Sequence, residues 1–170
     1  MSDKVFVDTN VLVYAHDLSA ENRHAKACAI VETLWEAETG VISTQVLQEL
    51  AVNLRRKAGR PLDAKATREV VADYLAWQVV VNTADSVLGA LELEERYRIS
   101  FWDALVIHAA QAAGAEVLYS DDLADGQDYG GVTVVNPLVE RTEPSKRCRT
   151  TRLAGHLLPD HLPVRCSRLM

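Results

Sequence analysis

Four acidic sites stand out because of what precedes them. Asp8 ends the apolar run Val5-Phe6-Val7 and is followed by Thr9, Asn10 and a second apolar run. Asp121 and Asp122 follow Val117-Leu118-Tyr119 and Ser120. Glu49 lies a turn or two into the helical pattern after Val41-Ile42-Ser43, and Asp103 sits three residues after Ser100 in "SFWDALVIHAA". Carboxylates held close together repel, which raises some of their pKa values, and a hard divalent cation relieves that repulsion. Mg²⁺ takes a few carboxylates and keeps several waters, and Mn²⁺ accepts the same ligands. Such a centre can polarise a phosphodiester and help generate a hydroxide nucleophile for in-line attack. Other chemistries lack their motifs: the chain has no Walker A loop, GxGxxG, HExxH or GxSxG.

Each acid also has a local structural alternative. Asp8 can cap the following helix. Ser100 and Asp103 match a capping box. Glu49 can be an ordinary solvated helix acid, although Val46, Leu47, Leu50 and Val52 place it beside a buried face. Asp121-Asp122 can be a turn. What shifts the balance is that all these sites follow strands or begin helices, where function gathers in open α/β sheets.

The elements that must position them are legible as short apolar runs alternating with helical patterns. Strands are expected at Val5–Val7, Val41–Ser43, Val79–Val81, Val117–Tyr119 and Val132–Val135. Helices are expected from Asn10 to Ala15, from Ser19 or Asn22 to about Glu38, after Thr44 to Gly59, from Asp63 through Trp77, from Asp85 to Tyr97, and from Ser100 to about Gly114. Gly40 is expected to end the second helix. Strands separated by helices imply crossover connections, hence a three-layer α/β/α fold with a mainly parallel central sheet.

The 170 residues suit one domain of ordinary size, with 48% apolar and 25% charged residues. No apolar stretch approaches the roughly 20 residues of a spanning helix, and the N-terminus lacks signal-peptide character. No membrane association and a cytoplasmic location are the expectation. Cys28, Cys148 and Cys166 form no CxxC pair, which supports neither a zinc knuckle nor a disulfide framework, and Cys28 reads as a small core residue. The net charge of −6 is uneven: from Glu140 onward seven Lys or Arg face three acids, a net of +4, which leaves −10 on residues 1–139. Residues 1–138 therefore read as the functional domain. Residues 139–170, basic and with three prolines, read as a disordered extension, or else as an RNA-binding arm or docking segment.

"VFVDTNVLVYA", "STQVLQEL", "SFWDALVIHAA" and "VLYSDDLADGQ" together resemble the PIN-domain family, and more narrowly the VapC-type toxins of bacterial toxin–antitoxin pairs, over about residues 4–138. The resemblance implies a metal-dependent endoribonuclease with Mg²⁺, or Mn²⁺ in its place. It implies Asp8 and Asp103 as principal metal ligands, Glu49 as a third acid, and Asp122, with Asp121 as the alternate, as the fourth. Asn10 would orient Asp8 or a water, and Ser120 would support the fourth acid. Ala124 stands where the family often has a further acid, so a fifth ligand is not expected. An RNA substrate, a cognate antitoxin and a homodimer are implied partners. A nuclease of RNA processing without an antitoxin, and a non-catalytic RNA- or protein-binding PIN domain, are the alternatives.

Arg55, Arg56 and Lys57, with Arg60 nearby, offer either a favourable helix C-terminus or a phosphate-contact patch. Leu12, Val31 and Trp35 are expected either to line an antitoxin groove or to lie in the core. Trp35, Trp77 and Trp102 read as core residues and not as base-stacking platforms. His108 is expected to face away from Asp103, and His16 and His24 to have surface-like surroundings.

Overall fold

The structure, a computed structural model, describes residues 3–56 and 61–139. The chain divides into two units, Met1–Leu138 and Val139–Met170. Only the first is described below, and the expectation of a disordered extension lies outside the described residues.

Five strands, β1 (Val5–Val7), β2 (Gly40–Ser43), β3 (Gln78–Val80), β4 (Val117–Tyr119) and β5 (Thr133–Val135), form one sheet in the order β3-β2-β1-β4-β5. Every pairing is parallel, with Val5 opposite Gly40 and Val117, and Val7 opposite Tyr119. Six helices join them: α1 (Thr9–His16), α2 (Asn22–Ala37), α3 (Thr44–Arg56), α4 (Ala64–Tyr74), α5 (Ala84–Tyr97) and α6 (Phe101–Ala112). The chain steps from β1 through β2 to β3 in one direction and then returns to β4 on the other side of β1. Right-handed crossovers therefore put α1–α4 on one face and α5–α6 on the other. The core is one apolar cluster, with Phe6, Leu12, Ile42, Leu50, Ile107 and Leu118 fully buried.

Some boundaries differ from the sequence reading for identifiable reasons. Gly40 does not merely end α2; it opens β2. A side chain there would overlap the buried Trp77 ring, so only glycine admits this packing. The stop of α2 falls instead to Glu38 in the left-handed conformation (φ 55°), whose N–H reaches the carbonyls of Leu34 and Trp35. At the other end of α2 the cap position is Glu21, without a side-chain cap bond, and neither Ser19 nor Asn22. Helix α4 starts after Asp63, whose carboxylate accepts from the Ala66 N–H, but stops at Tyr74. The turn that follows drops Trp77 into an aromatic cluster with Trp35 and Tyr74, at centroid separations of 5.3–6.0 Å.

Candidate active site

The sheet order reverses between β1 and β4, and ligand crevices in open α/β sheets lie outside the strand ends at such a reversal. Here that point is occupied by Asp8, just after β1, and Ser120-Asp121-Asp122, just after β4. The Asp8 N–H continues the ladder by donating to the Tyr119 carbonyl at 2.9 Å. The carboxylate then turns back over its own helix: Oδ1 accepts from the Thr9 N–H at 2.7 Å, so Asp8 is indeed the N-cap of α1. Its other oxygen, Oδ2, accepts from the Ser120 hydroxyl at 2.8 Å. Capping and site-building are the same act at this residue.

Asp8, Glu49, Asp103 and Asp122 line one cavity of about 830 Å³. Glu49 reaches it from the second turn of α3, where both its oxygens are held: Oε2 by the Thr9 hydroxyl at 2.8 Å and Oε1 by Gln45 Nε2 at 2.9 Å. Asp103 reaches it from the first turn of α6. Ser100 caps that helix by accepting from the Asp103 N–H, and its hydroxyl donates to Asp103 Oδ2 at 2.8 Å. Asp122 is the exposed member, and Asn10 Nδ2 donates to its Oδ2 at 3.1 Å. Asp121 does not line the cavity. It turns toward the Tyr14 hydroxyl and Arg23, the guanidinium lying 3.7 Å away.

The electrostatics follow from burial. Asp8 is pushed up to about 7, first by desolvation and then by the charges of Glu49 and Asp122, against the lowering effect of the Ser120 and Thr9 hydrogen bonds. A carboxyl that titrates near neutrality only because it is dry and faces other acids is one that a cation would ionise.

The donor set fits a hard divalent ion. The cavity offers carboxylate oxygens from several elements, and the residues around them leave two buried amide oxygens, Asn10 Oδ1 and Gln45 Oε1, without a hydrogen-bond partner. Such acceptors suit the waters that Mg²⁺ retains. Among the described residues, however, no three His, Cys, Asp or Glu side chains converge closely enough to form a complete ligand group as they stand.

Several sequence expectations change here. Trp102 is not a core residue: it is 62% exposed and lines the cavity, because its place in the first turn of α6 points it away from the sheet that buries Ala104 to Ile107. Trp77 is buried and Trp35 half-buried, as core packing requires. Leu12 and Val31 are buried in the core and Trp35 packs in the aromatic cluster, so none of them lines the cavity, whose apolar wall is Val13, Val52, Val106 and Trp102. His16 is not surface-like. It is half-buried and hydrogen-bonds the Tyr74 hydroxyl at 3.0 Å, and desolvation lowers it to about 4. His24 is half-buried against the Tyr14 carbonyl. His108 packs against Gly89 of α5 and stays away from the cavity. Arg56 joins the cavity wall, Arg55 is exposed on the last turn of α3, and Lys57 and Arg60 lie outside the described residues. Thr9 and Gln45 were missed. Gln45 was findable in principle, being one helical turn before Glu49.

Comparison with known proteins agrees with this geometry. The PIN domain family model matches residues 5–125. No curated protein matches the sequence significantly. Among solved structures, Mycobacterium tuberculosis VapC20, described as a sarcin-ricin loop cleaving toxin, is 26% identical, with a TM-score of 0.54 over 69% of this chain and 88% of its own. A DNA-bound VapBC complex from Salmonella typhimurium (16% identity, TM-score 0.56, 77% of this chain and 96% of that one) shares the fold. So does a toxin–antitoxin complex from Klebsiella pneumoniae (22%, 0.55, 79% and 98%). With the family's pattern spanning most of the chain and a wholly parallel sheet that brings acids from both ends of that pattern to one cavity, the protein belongs to the PIN-domain family.

Proposed function

We propose that this protein is a divalent-cation-dependent endoribonuclease, the toxin of a toxin–antitoxin pair. The observation that carries the reading is the convergence of Asp8, Glu49, Asp103 and Asp122 on one cavity where the sheet order reverses. Asp8, Asp103 and Glu49 would hold Mg²⁺ or Mn²⁺, with Asp122 as the fourth acid. Asp121, engaged with Tyr14 and Arg23, is the weaker candidate for that place. When bound, the ion supplies Lewis acidity toward a phosphodiester and lowers the pKa of water.

The chain's own residues do the rest. Ser120 and the Thr9 N–H fix both oxygens of Asp8. Thr9 and Gln45 fix both oxygens of Glu49. Asn10 ties Asp8 to Asp122 across the mouth of the sheet. Such outer partners set the direction of ligand lone pairs. Arg56 on the cavity wall, with Arg55 beside it in the same helix turn, would meet the phosphates of the strand, and Lys57, outside the described residues, is the further candidate.

RNA as the substrate is supported by the likeness to the loop-cleaving VapC20, and an antitoxin partner by the VapBC complexes that share the fold. A homodimer and a cytoplasmic site of action belong to the same reading. No described helix is long and apolar enough to cross a membrane. Residues 1–138 would carry the activity and residues 139–170 a basic extension.

The test is cleavage of total bacterial RNA by purified, partner-free protein in Mn²⁺ or Mg²⁺, with 5′ ends mapped. Asp103→Asn and a chelator are the controls. Discrete cuts absent from both controls support the reading. Cuts that persist in Asp103→Asn, or a folded protein that binds metal and cuts nothing, reject it.

A further inference from the structure

Trp102 leaves most of a large apolar side chain in water, at 62% exposed, and no carboxylate interaction explains it. Its backbone is tied to α3 and its ring has an aromatic neighbour. Phe101, packed on the core, meets it edge-on at 5.3 Å and 74°, and the Trp102 carbonyl accepts from Gln45 Nε2 at 3.3 Å. The ring lines the same cavity as Asp103, together with Arg56, Val52 and Asn53.

An exposed aromatic face that shares a cavity with a guanidinium is a combination that binds single-stranded nucleic acid. Every base offers a π-face to stack, and the cation meets the phosphate. The neighbouring acids give a reason for it. Carboxylates repel a phosphodiester backbone, so a base anchor outside the acid cluster supplies affinity that the phosphates cannot.

We propose that Trp102 is a stacking platform that seats one unpaired nucleobase of an RNA strand beside the carboxylate cavity, with Arg56 on the strand's phosphate. This subsite rests on the reading of the cavity as a ribonuclease centre. A paired base is not a candidate, because its faces are already covered within the helix. A nucleobase is favoured over a protein partner by the mostly polar lining that the cavity shares with Trp102: Asn53 and Gln48, with amides suited to base edges, and Arg56, beside a single further exposed apolar residue, Val52.

The test uses the full chain at low salt in chelator, where binding is read without cleavage. The probes are a fluorescently labelled adenosine octamer and an octamer of abasic ribose phosphates, titrated against wild type, Trp102→Ala and Trp102→Phe. Wild type is expected to prefer the base-bearing probe. Trp102→Ala should weaken it by about 5- to 150-fold, the range of one base–aromatic stack, and leave the abasic probe unchanged. Trp102→Phe should restore part of the loss, with thermal melts unaltered. Cleavage in Mn²⁺ is measured separately, and Trp102→Ala should raise KM more than it lowers kcat. Equal binding of both probes by wild type and Trp102→Ala overturns the platform, and the ring then belongs to a protein interface. Equal weakening on both probes overturns it as well, since the ring would then act without the base. Base-dependent weakening in a protein that cuts no RNA keeps the platform and rejects the nuclease reading instead.

Discussion

Asn10 Nδ2 stands 3.1 Å from Asp122 Oδ2 although the two residues are 112 positions apart in the chain. The same nitrogen lies 3.3 Å from Asp8 Oδ2 and 3.3 Å from the Ser120 hydroxyl. One amide thus sits among two acids and the serine that serves one of them. A second amide of the cavity, Gln45, plays the matching part through Nε2, which links Glu49 to the first turn of α6. Both amides spend their donors on fixed acceptors and leave their oxygens buried without a donor. Their N–H donors offset part of the repulsion between the acids.

Replacing Asn10 by Ala removes the link between Asp8 and Asp122. Cleavage is expected to fall about 10- to 100-fold, as for other outer partners of metal ligands. The Mg²⁺ concentration for half-maximal rate should rise with it. A rate curve against Mg²⁺ that overlays wild type would refute the role.

Gln45→Leu keeps the volume of a residue only 5% exposed and removes the donor to Glu49 and to the Trp102 carbonyl. The expected outcome is again a loss of about 10- to 100-fold, with Gln45→Glu worse because it adds a charge beside Glu49. Parallel melts decide whether the loss comes from the site or from the fold.

Stability against pH should carry two opposed slopes in chelator. Asp8 is raised from 3.8 to about 7, so between those values the folded chain holds a proton the unfolded chain has lost, and stability falls as pH rises. His16 is lowered from 6.5 to about 4, mainly by burial and next by His24, with Asp73 opposing. There the unfolded chain binds the extra proton, so stability falls as pH drops from 6.5 toward 4. Wild type is expected to be nearly level from pH 4 to 6.5 and to lose stability from there to about 7. Asp8→Asn should instead rise to pH 6.5 and stay level, exceeding wild type at pH 8 by roughly a few kcal/mol. Urea unfolding across this window checks it, and Mg²⁺ should restore wild type at pH 8 without helping the variant.

Two glycines should resist replacement for steric reasons alone. A Cβ at Gly40 would overlap the Trp77 ring, and one at Gly89 would overlap the His108 ring between α5 and α6. Gly40→Ala and Gly89→Ala are each expected to cost about 1–3 kcal/mol, read as a lower urea midpoint. Gly126→Ala, with open space around it and φ of 81°, tests backbone strain separately.

Local pattern and motif made the acids legible. Strand-ending Asp8, the Ser100–Asp103 start and the SDD turn are features of adjacent residues, and hydrophobic periodicity found the five strands and six α-helices of the described residues to within a few positions, missing only the short 3-10 turn at Leu18–Ala20. Boundaries were lost where a distant side chain set them. Trp77 fixes the use of Gly40, and no local rule carries that information. The resemblance already put Asp122 ahead of Asp121 as the fourth acid; what it did not carry is the pull of Arg23 and Tyr14 on Asp121. The exposure of Trp102, the hydrogen bond of His16 to Tyr74, and the Gln45 bridge between α3 and α6 depend on how elements pack. The sequence by itself determined the order of elements and the acids at their ends, because those depend on neighbouring residues. Tertiary structure alone decided the distances among the acids, the residues that hold them, and the aromatic face at the rim, because each of these is set by how separate elements pack.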